Sequence, residues 1–169
     1  MTDLKHTKWY QEFYDKSILL AYRGSITHGT FRPSTDPNSI DDKDIMGVVV
    51  NPVEHYLGFG QQDTFERIEG EWDVVAYEAK KFVHLLTKSN PNVLSLLWTP
   101  EQYFLKKTES GQRILNNRQL FVSKEAYKSF QGYAYSQLKK MTKFRVEDKK
   151  RLQDIEDELI KRNIDPTTL

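Results

Sequence analysis

Arg23-Gly24-Ser25-Ile26-Thr27-His28-Gly29-Thr30 lies between two apolar runs, Ile18-Leu19-Leu20-Ala21-Tyr22 and Ile45-Met46-Gly47-Val48-Val49-Val50. Each run has the length and composition of a buried strand. Gly24-Ser25 breaks the first run. A glycine at that point lets the backbone approach a ligand closely. A serine hydroxyl and the amides after it, at the start of a helix, suit an anion. Gly29 and Thr30 extend the same surface. Taken alone, the stretch also fits a plain strand-to-helix turn.

Asp42-Lys43-Asp44 opens the second run. Residues two apart on a strand point to the same face. Two carboxylates on one face repel, and the arrangement is costly unless a cation neutralises it. Hard oxygen donors of this kind suit Mg²⁺ or Mn²⁺. The competing reading is a solvated acidic loop, because Asp41 makes the segment a charge cluster. Asp41 precedes the strand and receives no metal role. A third carboxylate, Asp73, begins Asp73-Val74-Val75-Ala76-Tyr77, another candidate central strand. A charged residue opening an apolar strand needs something to satisfy it. Glu71 competes with Asp73 for that role, although it sits more naturally in a turn. Three carboxylates around two metals can activate a hydroxyl and neutralise a triphosphate together.

Outward from these runs, residues 63–68 and 72–77 read as a hairpin around Glu69-Gly70-Glu71. Near the N-terminus, Asp3 is expected to cap a helix of about a dozen residues whose stripe is Trp9, Tyr10, Phe13 and Tyr14. Residues 31–40, with Pro33, Pro37, Asn38 and Ser39, read as a loop. From Glu78 the period becomes helical, with Phe82, Leu85 and Leu86 on one side and a stop near Ser89-Asn90-Pro91. Short helices follow over 93–98 and 110–117. Ser123 caps a longer one with the core stripe Ala126, Phe130, Tyr133, Ala134, Gln137 and Met141. A separate polar helix is expected over 147–162. Strands in the first half and helices in the second make an α+β fold, a small mixed sheet with flanking helices and a C-terminal helical region. The expected division is a core over 1–90 and helices over 91–169.

Composition narrows the function. The chain has 169 residues, 38% of them hydrophobic and 29% charged, which suffices for a real core. Net charge is +1, so any nucleic-acid surface must be local. There is no cysteine, which excludes disulfides, thiolate zinc sites and cysteine nucleophiles. No apolar run approaches a membrane span and the N-terminus lacks a signal-peptide pattern, so a cytoplasmic protein is expected.

The ordered set Gly24-Ser25, Asp42-x-Asp44 and Asp73 resembles the signature of the DNA polymerase β-like nucleotidyltransferase superfamily. Arg23-Gly24-Ser25-x-x-x-Gly29-Thr30 and Asp42-x-Asp44-Ile45-x-Gly47-Val48 resemble one branch more closely, the RNA-ligase-associated (RlaP-like) family. So do Asp73-Val74-Val75-x-Tyr77-Glu78-x-Lys80-Lys81-Phe82, Asn90-Pro91-Asn92-Val93-Leu94-x-Leu96-Leu97-Trp98 and Tyr127-x-Ser129-Phe130-x-Gly132-Tyr133-Ala134. The likeness covers roughly residues 18 to 141. It implies transfer of a nucleoside monophosphate from a nucleoside triphosphate (NTP) to an acceptor hydroxyl, with release of pyrophosphate. Asp42 and Asp44 would bind both metals. Asp73 would bind one and help activate the acceptor, and Ser25 would hold phosphates. Two departures stand out: the loop between Thr30 and Asp42 is long and polar, and fuller members of the branch continue into a His- and Arg-rich helical segment.

Lys80 and Lys81 follow the third strand, and Lys81 is the candidate to reach the triphosphate. Solvation on an exposed helix face is the alternative. Asn90 reads as a helix cap, with base or sugar contact by Asn90 or Asn92 as the other reading. His28 suits phosphate contact or local packing. Lys139, Lys140, Lys143, Arg145, Lys149, Lys150 and Arg151 form a basic cluster that would attract a nucleic-acid acceptor, although the acidic run at 154–158 partly cancels it. The leading expectation is a Mg²⁺-dependent nucleotidyltransferase with RNA slightly favoured as acceptor. The alternatives are a protein-modifying (AMPylating) enzyme and a non-catalytic nucleotide- or partner-binding module.

Overall fold

The computed structural model describes residues 4–33, 35, 42–58 and 62–161. Asp3, Asp41, most of the loop expected over 31–40 and the end of the last helix lie outside them.

Five strands form one mixed sheet: β1 Ser17–Tyr22, β2 Lys43–Val49, β3 Thr64–Glu69, β4 Trp72–Glu78 and β5 Phe104–Lys107, in the spatial order β3-β4-β2-β1-β5. β2 and β4 run parallel, and every other pair is antiparallel. β3 and β4 form the expected hairpin, with Gly70 at φ 60° in the tight turn. β5 was not foreseen. Phe104-Leu105-Lys106-Lys107 is too short and too basic to announce a strand, yet it pairs with β1.

Alternation along the strands divides the core between the two faces. On one face Leu20, Ile45, Val49, Trp72, Val74 and Ala76 are buried beneath Trp9 and Phe13 of α1, Lys8–Phe13. The aromatic stripe there is core, as its spacing indicates. The regular helix has six residues after a 3-10 turn at Leu4–His6, shorter than the dozen expected. The remaining helices of this part are α2 Ser25–His28, α3 Val53–Leu57, α4 Ala79–Thr87, α5 Pro91–Leu96 and α6 Glu109–Asn116. On the second face Leu19, Ala21, Met46, Val48 and Val75 pack with Phe82 and Leu86 of α4, Val93, Leu94 and Leu96 of α5, and Leu115 of α6.

Glu78 joins β4 to α4. It is buried, and its carboxylate accepts hydrogen bonds from the Lys80 and Lys81 amides at 2.8 and 3.3 Å and from the Tyr56 hydroxyl at 2.5 Å. That is a filled N-cap. Asn90 caps α5 by accepting from the Val93 amide at 3.2 Å, with Pro91 at the first helical position.

By contacts, one compact unit ends at Ala126 and a second begins at Tyr127. The boundary expected near residue 90 therefore falls within the first unit, because α5 and α6 supply its core. The two helices expected after Ser123 are one, α7 Glu125–Lys161, of 37 residues. No proline interrupts that span and its one glycine is Gly132, so nothing in it stops a helix. The Ser123 hydroxyl accepts from the Glu125 amide at 3.2 Å, as a cap should. The core stripe expected on α7 is corrected in part: Phe130, Tyr133, Ala134 and Met141 are exposed.

Candidate active site

β1 delivers Arg23-Gly24-Ser25 to the end of the sheet where β2 begins. The Arg23 amide donates to the Asp44 carbonyl at 3.0 Å, one residue past the Tyr22–Ile45 pair. Gly24 follows with φ 62°, a conformation that favours glycine. A Cβ there would stand 2.2 Å from Asp44 Oδ2. The missing side chain is what lets the turn lie against the carboxylate. Ser25 opens α2. Its carbonyl accepts from the Thr30 amide at 2.9 Å, and Thr27 Oγ1 donates to the Gly24 carbonyl at 3.0 Å. Gly29, at φ 70°, ends the turn, and Thr30 beyond it is exposed.

Parallel pairing sets the register of the acids. Asp44 on β2 lies directly opposite Asp73 on β4. Neighbouring strands are about 4.8 Å apart, so two carboxylates project side by side from one face. That face also carries Ala21, Met46 and Val75, so α4, α5 and α6 cover its interior and leave this end open. Arg23 shares the face. Its guanidinium contacts Asp44 Oδ1 at 3.4 Å, while its Nε is buried without a hydrogen-bond partner. Glu71, the rival of Asp73, is held away: its carboxylate binds Lys43 Nζ at 2.6 Å, and that ammonium lies 4.8 Å from the centroid of the Trp72 ring on the opposite face.

Asp42 precedes β2 and is exposed. The sheet thus brings together Gly24, Ser25, Asp44 and Asp73, with Asp42 at their margin. Among the described residues no three His, Asp or Glu side chains close around one point. Lys81 is not brought to this group. It follows the far end of β4, about five extended residues or roughly 16 Å beyond Asp73, and its ammonium pairs with Asp63 at 3.0 Å. That bond, foremost, holds the Asp63 carboxyl below its ordinary range.

Two grooves meet at Arg23. One, of about 580 Å³, is lined by Asp73, Val75 and Tyr77, by Glu66 and Ile68 of β3, and by Asn92 of α5. The other, of about 330 Å³, runs between Gly24, Thr27 and His28 on one side and Ser95, Trp98, Thr99 and Pro100 on the other.

A family model described as RlaP, RNA repair pathway DNA polymerase beta family, matches residues 2–155. The chain belongs to this family. No curated protein matches it. Membership gives a nucleotidyltransferase-type function to the RlaP chain and accounts for its mixed sheet with flanking helices. No helix among the described residues is long and apolar enough to cross a membrane.

Sequence reasoning missed two features of this RlaP site. Arg23 was read only as part of a motif, but its odd-numbered alternation with Leu19 and Ala21 already put it on the carboxylate face. Ser95 gave no signal of its own, and Trp98 entered only as the last residue of a family-like segment. They reach the site through the path of α5, which periodicity does not reveal.

Proposed function

We propose that this RlaP protein is a divalent-cation-dependent nucleotidyltransferase. It moves a nucleoside monophosphate from an NTP to an acceptor hydroxyl, with RNA slightly favoured as acceptor. One observation carries the reading: Asp44 and Asp73 stand in register on adjacent parallel strands, against a glycine whose absent side chain opens the approach to Asp44.

The donor set fits Mg²⁺ or Mn²⁺. Such ions are commonly held by one or two carboxylates, with substrate phosphates and water completing the shell. Asp44 and Asp73 are that pair, and Asp42 is the neighbouring donor. The ion, when bound, neutralises charge on the triphosphate and acidifies the attacking hydroxyl. The chain's own groups do the rest. Gly24 admits the phosphates, and the Ser25 hydroxyl and neighbouring amides bind them. Arg23 balances Asp44 and offers a cation to the same phosphates. Asp73 takes the acceptor's proton as its oxygen bonds to the α-phosphorus. The bond from that phosphorus to the bridging oxygen breaks, and pyrophosphate leaves.

RNA is favoured by the family's description and by the lysines of α7. The test is incubation of the protein with each α-labelled NTP, Mg²⁺ and a single-stranded RNA. Label is expected in the RNA. Label in the protein alone assigns the acceptor to a protein hydroxyl, and intact mass then locates it. No label in either, with no pyrophosphate formed, sinks the proposal and leaves a nucleotide- or partner-binding module.

A further inference from the structure

We infer that the groove between α2 and α5 is the nucleobase pocket, and that the incoming base stacks on Trp98. The inference rests on the reading of Asp44 and Asp73 as the transfer site. It adds where the nucleoside lies and which residue grips it.

The groove borders the one that Asp73 lines, with Arg23 lining both. Its volume of about 330 Å³ falls in the range of small-molecule sites, roughly 300 to 1,000 Å³. One wall is the turn that admits the phosphates, Gly24 with Thr27 and His28. The other is Ser95 and Trp98. A nucleotide with its phosphates at Gly24 and Ser25 therefore has its base beside this aromatic wall. Trp98 is built as a platform. The Arg118 guanidinium lies 5.6 Å from its ring centroid and is itself fixed by a hydrogen bond to the Leu97 carbonyl at 3.2 Å. The indole remains 39% exposed, although Leu97 beside it is fully buried. A held but open indole presents a π-face, which every base can use. Ser95 and Thr27 supply small polar edges. Thr27 Oγ1 and Ser95 Oγ already donate to the backbone carbonyls of Gly24 and Asn92, so both are left mainly as acceptors.

Tryptophan emission reads this pocket directly. Of the three tryptophans, Trp9 is 0% exposed and Trp72 4%, so Trp98 is the one a ligand can quench. Titration of the wild type with ATP, GTP, CTP and UTP in Mg²⁺ is expected to quench emission saturably, most strongly for the purines. Tripolyphosphate, which has no base, is expected to leave it unchanged. W98F is expected to lose the quench. W98A is expected to raise KM for the NTP about tenfold, in line with base–aromatic stacking, with a smaller change in kcat. A second variant, S95F, fills the groove from the α5 wall with Trp98 intact, and is expected to abolish the quench. A quench that persists in W98F and S95F, a quench by tripolyphosphate, or one produced by single-stranded RNA alone overturns the inference. So does an unchanged KM in W98A. Transfer activity without any Trp98-dependent signal overturns the base pocket and spares the transfer reading. A base-dependent quench without transfer does the reverse.

Discussion

Gly24 is the residue on which the site turns. It combines a positive φ with a Cβ position 2.2 Å from Asp44 Oδ2. Replacing Gly24 by alanine strains the backbone and drives the carboxylate away from its present rotamer. G24A is expected to cost about 1 to 2 kcal/mol of stability in denaturant unfolding. It is also expected to reduce transfer far beyond what that loss explains. A G24A enzyme with unchanged transfer would show that the turn does not need its close approach to Asp44. Much of this was legible in the sequence. Gly24-Ser25 marked a turn after a strand, and Asp42-x-Asp44 with a later Asp73 marked a set of acids, although the pair in register is Asp44 and Asp73 while Asp42 precedes β2. Asp73 was preferred to Glu71 because Glu71 suits the turn, and the parallel register agrees by putting Asp73 opposite Asp44 and leaving Glu71 for Lys43.

At the scale of elements, the sheet is held by close approaches that composition hides. α6 lies on β1 through Gly111, where a Cβ would meet the Ile18 carbonyl at 2.2 Å and Leu19 Cδ2 at 2.7 Å. Thr108 adds an amide and a hydroxyl donor to that same carbonyl, at 3.0 and 3.2 Å. G111A overpacks a buried helix–strand contact and is expected to destabilise the protein by about 2 to 3 kcal/mol. The check is thermal or urea unfolding, where a shift within error would refute the tight contact. A second element-scale expectation concerns pH. Burial and the bond to Glu78 raise the Tyr56 hydroxyl above its ordinary 10.0, and burial raises Tyr22 as well. Each phenol keeps its proton longer folded than unfolded. Their contribution is complete below the unfolded value and is lost as pH rises through the folded one. Stability should therefore fall above about pH 10. Y56F should make that fall shallower in urea titrations at pH 9 and 11. The strands, the hairpin, α4 and α5 were readable because periodicity and caps mark them. β5 was hidden because its pairing is decided by β1, with seven strands and α-helices between them in sequence. The fusion into α7 was hidden because a polar pattern resembles an ending even where no residue breaks the helix.

For the whole molecule, near-neutral net charge conceals local asymmetry. Lys139, Lys140 and Lys143 lie at spacings that place them on one side of α7. If RNA is the acceptor, K139E/K140E should weaken its binding and lower the slope of log affinity against log salt by about 1.4 to 2, leaving nucleotide affinity unchanged. Equal slopes in a filter-binding series would remove α7 from acceptor binding. The central claim is that Asp44 and Asp73 act together as the cation-binding pair of a nucleotidyl transfer. The most direct measurement is incorporation of label from an α-labelled NTP by the wild type, D44N and D73N, each shown to be folded, across a Mg²⁺ series. The expected result is cation-dependent transfer by the wild type, with at least a hundredfold loss in each variant and little further loss in the double variant. Transfer by D44N and D73N at the wild-type rate, or transfer indifferent to the cation, would contradict it.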